Sequence, residues 1–411
     1  MAENDRVNWG RPKLYRVDAA ARSGHVACCI NKYLLIWGGY QDDTQIDKYL
    51  PPEELWVYHI ELQFWKLYIT KGQIPKGTSG AGFCSIDNYL YLFAGHTGFG
   101  NNNNVFRLEL QGFEWEELIA NGPLPSPRDK FAMWSHNNKF YCFGGFGPSI
   151  HNYLCDHGDY ISDPTTYLTQ ERGWNNQLLV FDTTTESWTN PRTTSGPPCP
   201  RAAHAAAKVG TQVYIFGGRH CETRMNDIHC INLDTLQWSG ELHPTGPIPC
   251  GRSWHSLTPV ASQRLFMYGG YSNDNIPLSD SWVLDVTVLQ WTQLSVSNNQ
   301  PRLWHTASFV NDEDVLIFGG CCNDILDFGV NNMHSNEILL FHFQPYSLVR
   351  LSLELLFKCR EQTEIEWSYL PRELRNWLTS KSECMAHEHK QQISIDRHHN
   401  RIENQTTCSV S

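Results

Sequence analysis

The feature that most constrains this chain is an apolar strand that ends in two small residues and recurs six times. Four apolar residues precede two glycines, with one alanine substitution, in Leu34–Gly39, Leu90–Gly95, Phe140–Gly145, Val213–Gly218, Leu265–Gly270 and Val315–Gly320. Successive second glycines lie 56, 50, 73, 52 and 50 residues apart, so the third interval contains an insertion. A fixed period of this size indicates a closed array of similar units. The chain is therefore predicted to be all-β.

Two further features accompany most copies of the strand. An Arg-x-x-His sequence precedes it, at Arg22–His25, Arg201–His204, Arg252–His255 and Arg302–His305, and Arg128 lacks the histidine. A lone tryptophan follows it, at Trp65, Trp115, Trp188, Trp238 and Trp291. With the glycine pair, these features resemble the kelch repeat over residues 22–345. The resemblance implies a six-bladed β-propeller, in which stacking covers the two apolar faces of each blade.

Composition narrows the functional class. The formal net charge is −11, which argues against general binding to nucleic acid or anionic membranes, because both require a broad cationic surface. Fourteen cysteines without any Cys-x-x-Cys sequence favour free thiols in a reducing compartment. The first residues are polar and acidic, unlike a signal peptide. We expect a protein of the cytosol or nucleus with no cofactor or bound metal.

Catalytic motifs are missing from the sequence. It contains no Gly-x-Ser-x-Gly, no phosphate-binding Walker sequence and no His-Glu-x-x-His, and His387–His389 lies in a polar stretch. A binding protein without catalytic activity is therefore the favoured interpretation. Two alternatives stay open, because propellers can carry enzymes and can also serve as scaffolds that bind through the sides of their blades.

Residues that break the repeat predict the binding site. Strands one and two of a blade are antiparallel, so the Arg-x-x-His and Gly-Gly segments should meet at one rim. After the glycine pairs the chain has Tyr40, His96, Phe146, Arg219, Tyr271 and Cys321, among which Arg219 is the one cation. Arg224 follows Arg219 in the same loop. The segments at the start of strand one, between the arginine and the histidine positions, contain Lys130, Ser253, Trp254 and Trp304. The insertion ends at Arg172-Gly173-Trp174.

Cations and aromatic rings are thus predicted to converge on one mouth. Arginine binds carboxylates and phosphates through its planar fork, and the carboxylate at the end of a peptide is a natural target. The alternative is that Arg219 and Arg224 form ion pairs with acidic residues of neighbouring loops.

The periodicity changes after Pro345, where Leu348, Leu351, Leu355 and Leu356 share one face of a predicted helix. This segment resembles the elongin-binding box, with Ser347 and Leu348 at its start, Leu356 at its end and Ser352 in place of the usual cysteine. Leu370–Leu378 resembles the cullin-2 box. The alternative is a helix that folds back on the propeller.

Taken together, these motifs resemble the kelch-repeat substrate receptors of cullin-2 ubiquitin ligases. The resemblance implies binding of elongin B, elongin C and cullin-2 with its RING subunit, and recognition of C-terminal degrons that end in glycine. It assigns the carboxylate to Arg219, Arg224 and Ser253, and the surrounding walls to Lys130, Phe146, Trp174 and Trp254. It assigns elongin binding to Ser347, Leu348, Leu351, Ser352 and Leu356, and cullin binding to Leu370, Pro371, Leu374 and Leu378. A kelch scaffold for transcriptional or cytoskeletal proteins, without a ligase role, is the rival interpretation.

The predicted domain boundaries follow from these assignments. Residues 1–21 form an N-terminal extension, 22–345 the propeller, and 346–379 the helical docking segment. Residues 380–411 are polar and lack an apolar period, so we expect them to be disordered.

Overall fold

The fold was analysed in a computed structural model that describes residues 18–43, 46–166, 171–260, 263–295, 300–310, 314–327 and 329–383. Most of the predicted N-terminal extension, and the predicted disordered tail from residue 384, lie outside the described residues. The all-β prediction is confirmed: successive antiparallel sheets form the six blades of a propeller, and among the described residues α-helices occur only after the last blade.

The first three blades are built in chain order from the inner to the outer strand, except for one short strand that precedes blade two in the chain and pairs with its outermost strand. Blade one contains β1 (Val26–Ile30), β2 (Tyr33–Trp37), the ribbon β3 (Tyr40–Asp43) and β4 (Ile46–Tyr49), then β5 (Glu54–His59) and β6 (Phe64–Ile69). Blade two contains β7 (Lys71–Gly72), β8 (Gly82–Ile86), β9 (Tyr89–Thr97), β10 (Gly100–Glu109) and β11 (Glu114–Leu118). Blade three contains β12 (Ala132–His136), β13 (Lys139–Phe143), β14 (Phe146–Gly147), β15 (Tyr160–Ser162), β16 (Gly173–Asn175), β17 (Leu178–Asp182) and β18 (Ser187–Thr189).

The next three blades follow the same plan. Blade four contains β19 (Ala205–Val209), β20 (Gln212–Phe216), the ribbon β21 (Arg219–His220) and β22 (Thr223–Arg224), then β23 (Ile228–Asn232) and β24 (Gln237–Leu242). Blade five contains β25 (Arg252–Ser253), β26 (Ser256–Val260), β27 (Arg264–Ser272), β28 (Pro277–Asp285) and β29 (Gln290–Leu294). Blade six contains β30 (Thr306–Val310), β31 (Asp314–Phe318) and β32 (Ile338–His342) within the described residues.

The insertion predicted from the long third interval lies between β13 and β17 of blade three. Its strands β14, β16 and β15 form a separate small sheet, accompanied by two 3₁₀-helices, Ile150–Asn152 and Pro164–Thr166. The insertion therefore adds a structured cap to the rim and leaves the four-stranded blade β12-β13-β17-β18 intact.

Apolar packing joins the blades into a ring. The inner strands contact one another in the order β1, β8, β12, β19, β26 and β30, and β30 contacts β1 again. A cluster of buried apolar side chains fills each junction between neighbouring blades, including the junction between blades six and one. The tryptophans of the repeat are buried in the outer strands of five blades. Burial of these faces is the main stabilising contribution to the ring.

Backbone hydrogen bonds close a second, smaller ring around the central channel. Each N–H donates to the carbonyl oxygen of the equivalent residue in the preceding blade, at distances of 2.7 to 3.0 Å. The residues in this cycle are Gly24, Gly80, Lys130, Ala203, Trp254 and Trp304. All six have a left-handed backbone, with φ between 54° and 63°. Glycine occupies two of the positions, and the other four carry side chains in a conformation that L-residues rarely adopt.

The recurring arginines are buried and bonded within the fold. Arg201 donates to both carboxylate oxygens of Asp227 at 2.8 and 2.7 Å, and Arg252 donates to both oxygens of Asp280 at 2.7 and 2.8 Å. Arg128 instead bonds Asn175 and Gln177. Desolvated guanidinium groups require such partners, so these arginines stabilise the blades and are unavailable to a ligand.

The chain ends in a small helical unit. Helix α1 spans Leu348–Lys358, α2 spans Arg360–Thr363, a 3₁₀-helix spans Glu364–Tyr369, and residues 372–383 form α3. Leu353, Phe357, Trp367 and Leu378 form its buried core. The helix α3 continues four residues beyond the predicted boundary at 379. Lys381 explains the extension, since its Nζ lies 2.7 Å from Glu354 Oε1 of α1 and 4.6 Å from the ring centre of Trp377.

Blade six anchors this helical unit. Asp314 at the start of β31 accepts a hydrogen bond from Arg350 Nη1 of α1 at 3.3 Å and contacts His342 Nδ1 at 2.7 Å. Ser347 caps α1 by accepting from the backbone N–H of Arg350 at 3.2 Å. Among the described helices, none is both long and apolar enough to cross a membrane.

Candidate peptide-binding cavity

A cavity of about 570 Å³ lies at the rim where the Arg-x-x-His and Gly-Gly segments meet. Its walls combine residues of the strand openings with residues that follow the glycine pairs, as the antiparallel pairing predicts. The lining residues are Tyr40, Tyr49, Ser79, His96, Asp129, Lys130, Phe146, Asp163, Thr166, Arg172, Trp174, Ala202, Ala203, Arg219, Ser253, Trp254, Trp304, Ile325 and Leu326.

The hydrogen-bonded ring supplies the floor of this cavity. Lys130, Ala203, Trp254 and Trp304 belong to the ring and also line the cavity. These side chains can differ between blades because the ring is formed by their backbone N–H and carbonyl groups alone. Sequence variation at this position therefore changes the chemistry of the cavity without changing the closure of the propeller.

One wall carries an arginine pair. Arg219 and Arg224 are direct cross-strand partners in the ribbon β21–β22. Arg219 Nε donates to the carbonyl oxygen of Cys221 at 2.8 Å, and its guanidinium carbon lies 5.7 Å from the ring centre of Trp174. Neither arginine forms an ion pair with any carboxylate in the described part of the chain. The alternative in which both are neutralised by neighbouring acidic loops is supported in part for Arg224, since, against the larger effect of burial, the charges of Asp324 and Glu222 raise its pKa.

Arg224 lies behind the cavity wall. Its side chain is buried, and its guanidinium carbon lies 4.4 Å from the ring centre of Tyr271. Burial, followed by the charge of Arg219, lowers the pKa of Arg224. Its Nε atom is buried and has no acceptor among the described residues. The two cations thus destabilise each other, and an anion between them would relieve that repulsion.

Two further cations, Lys130 and Arg172, lie on the blade-three side of the cavity, and both are close to the buried carboxylate of Asp129. Lys130 Nζ lies 2.6 Å from Asp129 Oδ2, and Arg172 Nη2 lies 3.7 Å from the same oxygen. Asp129 is fully buried, and its Oδ1 atom has no hydrogen-bond partner among the described residues. The guanidinium of Arg172 also lies 4.7 Å from the ring centre of Phe146. Asp129 thus holds two cations beside the cavity.

Aromatic rings form the remaining walls. Trp254 and Trp304 stack with their ring centres 5.5 Å apart, and Tyr40 meets Trp304 edge-on at 5.5 Å. Lys130 Nζ lies 5.3 Å from the ring centre of Trp304. Trp174 packs edge-on against Phe146 at 5.2 Å. These contacts restrict the orientations that the wall side chains can adopt before any ligand enters.

The structure brings most of the sequence-predicted site residues together. Those that line the cavity are Lys130, Phe146, Trp174, Arg219, Ser253 and Trp254, whereas Arg224 reaches it from behind through the cross-strand pair. The predicted set of degron-binding residues did not include Asp129 or Tyr40, and it left out Arg172 and Trp304 although both were expected at the mouth. Two signals could have found them, since Asp129 is the one acidic residue at its repeat position and Arg172 ends the insertion.

The helical unit exposes one apolar face. Leu348, Leu351 and Leu355 of α1 are 82%, 49% and 62% exposed. The predicted elongin-binding residues Ser347 and Ser352 are exposed beside them. Leu356 is partly buried against the core of the helical unit, so it supports the helix as well as any interface.

The predicted cullin-binding residues are less accessible. Pro371 is exposed and Leu370 and Leu374 are partly buried, but Leu378 is fully buried in the core of the helical unit. The apolar spacing that predicted a partner contact for Leu378 also fits internal packing, and the structure places its side chain inside.

Comparison with known proteins bears on the family. The family described as the KLHDC2/KLHL20/DRC7 Kelch-repeats domain matches residues 1–174, 167–320 and 241–347. The chain belongs to this kelch-repeat family. Within it, the chain is 43% identical to Kelch domain-containing protein 2 of Bos taurus, over 86% of this chain and 89% of that protein. It is 38% identical to Kelch domain-containing protein 1 of Homo sapiens, over 94% of this chain and 97% of that protein.

A solved structure supports the fold independently. The structure of YjhT matches 79% of this kelch-repeat chain and 96% of its own chain, with a TM-score of 0.57 and 16% sequence identity. A match at this identity concerns the fold alone. Among the described residues, no cluster of three or more His, Cys, Asp or Glu side chains could hold a metal ion.

Proposed function

We propose that this kelch-repeat protein is the substrate receptor of a cullin-2 RING ubiquitin ligase, and that its cavity binds C-terminal degrons that end in glycine. The observation that carries the proposal is the opposed pair Arg219 and Arg224, neither of which has a carboxylate within ion-pair distance among the described residues. A peptide carboxylate would supply the missing anion. A charge-assisted bond to Arg219 in a partly desolvated site, with the charge of Arg224 behind it, is among the strongest available to a ligand.

The walls account for a preference for glycine. A carboxylate beside Arg219 and Ser253 would place the last Cα against Trp174 and Trp254, whose orientations are restricted by their own contacts. A Cβ at that position would meet an aromatic wall. Exclusion of larger residues by such a clash gives selectivity without any contact that recognises glycine itself.

The exposed face of α1 supports the ligase role. Leu348, Leu351 and Leu355 repeat at the spacing by which amphipathic helices enter partner grooves. In this proposal elongin C covers that face, elongin B binds elongin C, and cullin-2 with its RING subunit binds the adjoining segment. The protein itself carries out no catalytic step.

Peptide binding tests the degron part of the proposal. A fluorescent peptide ending in glycine should bind the full chain, and the same peptide with an amidated C-terminus should not, because amidation removes the charge. An Arg192→Ala variant, whose arginine is exposed away from the cavity, is the matched control and should bind normally. Equal affinity for the acid and the amide would show that the carboxylate is not recognised.

Reconstitution tests the ligase part. The full chain should co-purify with elongin B, elongin C and cullin-2, and the assembled complex should ubiquitinate a protein fused to the bound peptide. A scaffold that binds through its blade sides would recover neither elongin nor ubiquitination. It would also be indifferent to loss of the cavity cations.

A further inference from the structure

A second cavity of about 460 Å³ lies on the blade-one side of blade two, beside the central cavity. We call it the blade-two cleft. Its walls are Gln73, Ile74, Pro75, Lys76, Thr78, Leu92, Ala94, Thr97, Phe99, Gly100, Asn101, Asn102, Asn104, Phe106 and Glu117. None of the predicted degron-binding residues belongs to this set.

The two cavities are lined by residues that are direct neighbours in the chain at blade two. Ser79 and His96 line the central cavity, whereas the residues next to them in sequence, Thr78 and Thr97, line the blade-two cleft. Ser79 and His96 exchange two backbone hydrogen bonds of 2.9 and 2.8 Å. A chain that leaves the central cavity over blade two would meet the cleft next.

Phe99 makes the cleft suitable for an apolar contact. It is 89% exposed at the tip between β9 and β10, and Lys76 Nζ lies 4.6 Å from its ring centre. Isolated exposed apolar side chains are common on protein surfaces. Phe99 differs because it lines a cavity together with Ile74, which is 37% exposed, and Pro75. Aromatic side chains at such positions dominate binding energies.

The polar wall of the cleft is suited to a peptide backbone. Three of the four consecutive asparagines use their amide groups internally: Asn102 donates to Gly95, Asn103 to Pro125 and Asn104 to Glu117. The fourth, Asn101, has a buried Nδ2 atom without an acceptor among the described residues. An extended peptide passing the cleft would offer carbonyl oxygens as acceptors.

We infer that the blade-two cleft is an exosite for the segment upstream of the C-terminus of the same bound peptide, with a large apolar residue packed on Phe99. The inference rests on the proposed function, because the peptide must first be held in the central cavity. Once it is held, the cleft acts at high effective concentration, so a weak contact still raises the affinity. Substrate choice would then depend on the upstream sequence as well as the terminal glycine.

The test uses the full chain and two synthetic peptide probes with the same glycine-ended C-terminus. One is short enough to fill only the central cavity, and the other has a randomised upstream extension. Selection on the wild-type protein should enrich large apolar residues in the extension. The selected long peptide should bind about tenfold more tightly than the short one.

Substitutions at Phe99 test whether the higher affinity of the long peptide comes from the blade-two cleft. Phe99→Ser should remove the advantage of the long peptide and leave the short peptide unaffected, whereas Phe99→Trp should retain it. Ile119→Ser is the matched control, because Ile119 is 87% exposed on the same blade and lines neither cavity. If extensions show no enrichment, or if Phe99→Ser keeps the full advantage, the exosite is wrong while short-peptide binding still supports the proposed function. If the wild type binds neither peptide, both proposals fail.

Discussion

Arg219 and Arg224 stand directly opposite each other across the two short strands of the ribbon β21–β22. Like charges in this position raise the free energy of the unliganded protein, so their presence requires an explanation from function. They differ in depth, since Arg219 lines the cavity and Arg224 is buried over Tyr271. Burial, then the hydrogen bond to Asp324 and its charge, raises the pKa of Tyr271, so this ring stays neutral beside the guanidinium.

Removal of Arg219 should therefore weaken ligand binding without harming the fold. Arg219→Ala should lower the affinity for a glycine-ended peptide by about a hundredfold, the usual effect of losing one partner of a desolvated charge pair. Arg219→Lys should recover only part of the loss, because lysine keeps the charge but not the planar fork. Fluorescence anisotropy measures both. Normal affinity in Arg219→Ala would exclude this arginine from the site.

The helical unit contains one residue of the proposed elongin interface, Leu348, and one core residue, Leu378, whose substitutions should have different effects. Leu348→Arg should abolish elongin binding in a pulldown with unchanged thermal stability, because Leu348 is 82% exposed. Leu378→Ala should instead destabilise the helical unit by about 3 kcal/mol through the cavity it leaves. Peptide affinity should be normal in both variants, and loss of peptide binding by Leu348→Arg would indicate a damaged propeller. Ile119→Arg is the control for a charge at an exposed apolar site.

Buried histidines predict acid sensitivity. Burial, with a smaller contribution from Arg302, lowers the pKa of His305 to about 3, and burial lowers that of His204 to about 3 as well. In the unfolded chain these groups take up protons below about pH 6.5, but in the folded protein they stay neutral. Stability is therefore fully present above pH 6.5 and falls as the pH drops toward 3.

A single substitution isolates one of these groups. His305→Gln can still bond Ser256, which lies 2.9 Å from His305 Nε2, but it cannot titrate. Its stability should fall less steeply with acid, by up to about 1.4 kcal/mol per pH unit. Urea unfolding at pH 7, 6 and 5 checks this. Identical slopes for the variant and the wild type would show that His305 does not contribute.

Two glycines of blade four have nearly the same backbone and different surroundings. Gly210 has φ of 60° with open space where a Cβ would lie, whereas at Gly217, with φ of 63°, a Cβ would lie 2.8 Å from the carbonyl oxygen of Arg252. Gly210→Ala should cost about 1 kcal/mol from backbone strain alone. Gly217→Ala should cost clearly more, because blade five must shift. Equal losses of unfolding free energy would contradict the role of this close approach.

The propeller was predictable because the apolar strand that ends in a glycine pair recurs six times, so an ambiguous copy does not change the interpretation of the whole. Arg219 was predictable as the exception at a repeated position. Arg172 and Asp129 were not linked in advance, since the insertion between them has no repeat to set its geometry. The depth of Arg224 was also hidden, because sequence spacing shows that a side chain can reach the rim but not which side of the ribbon it packs on.

The helical unit shows a different limit. The apolar period of α1 identified a face, and the structure exposes Leu348, Leu351 and Leu355 of that face. Resemblance to the cullin-2 box assigned Leu378 to a partner contact, whereas the structure buries its side chain. An apolar residue in a short helix has the same signature whether it packs on a partner or on its own chain. Only the number and placement of neighbouring helices decide between them.

The ring of hydrogen bonds through Gly24, Gly80, Lys130, Ala203, Trp254 and Trp304 has a consequence for amide exchange. Every link donates to its neighbour in one rotational direction and the cycle has no free end, so no link can fray as a terminus does. These six amides should exchange with solvent only when the whole propeller opens. Four of these residues, Lys130, Ala203, Trp254 and Trp304, also line the cavity. The floor of the cavity should therefore consist of the residues whose amides exchange most slowly. The cavity should keep its shape while outer strands open locally.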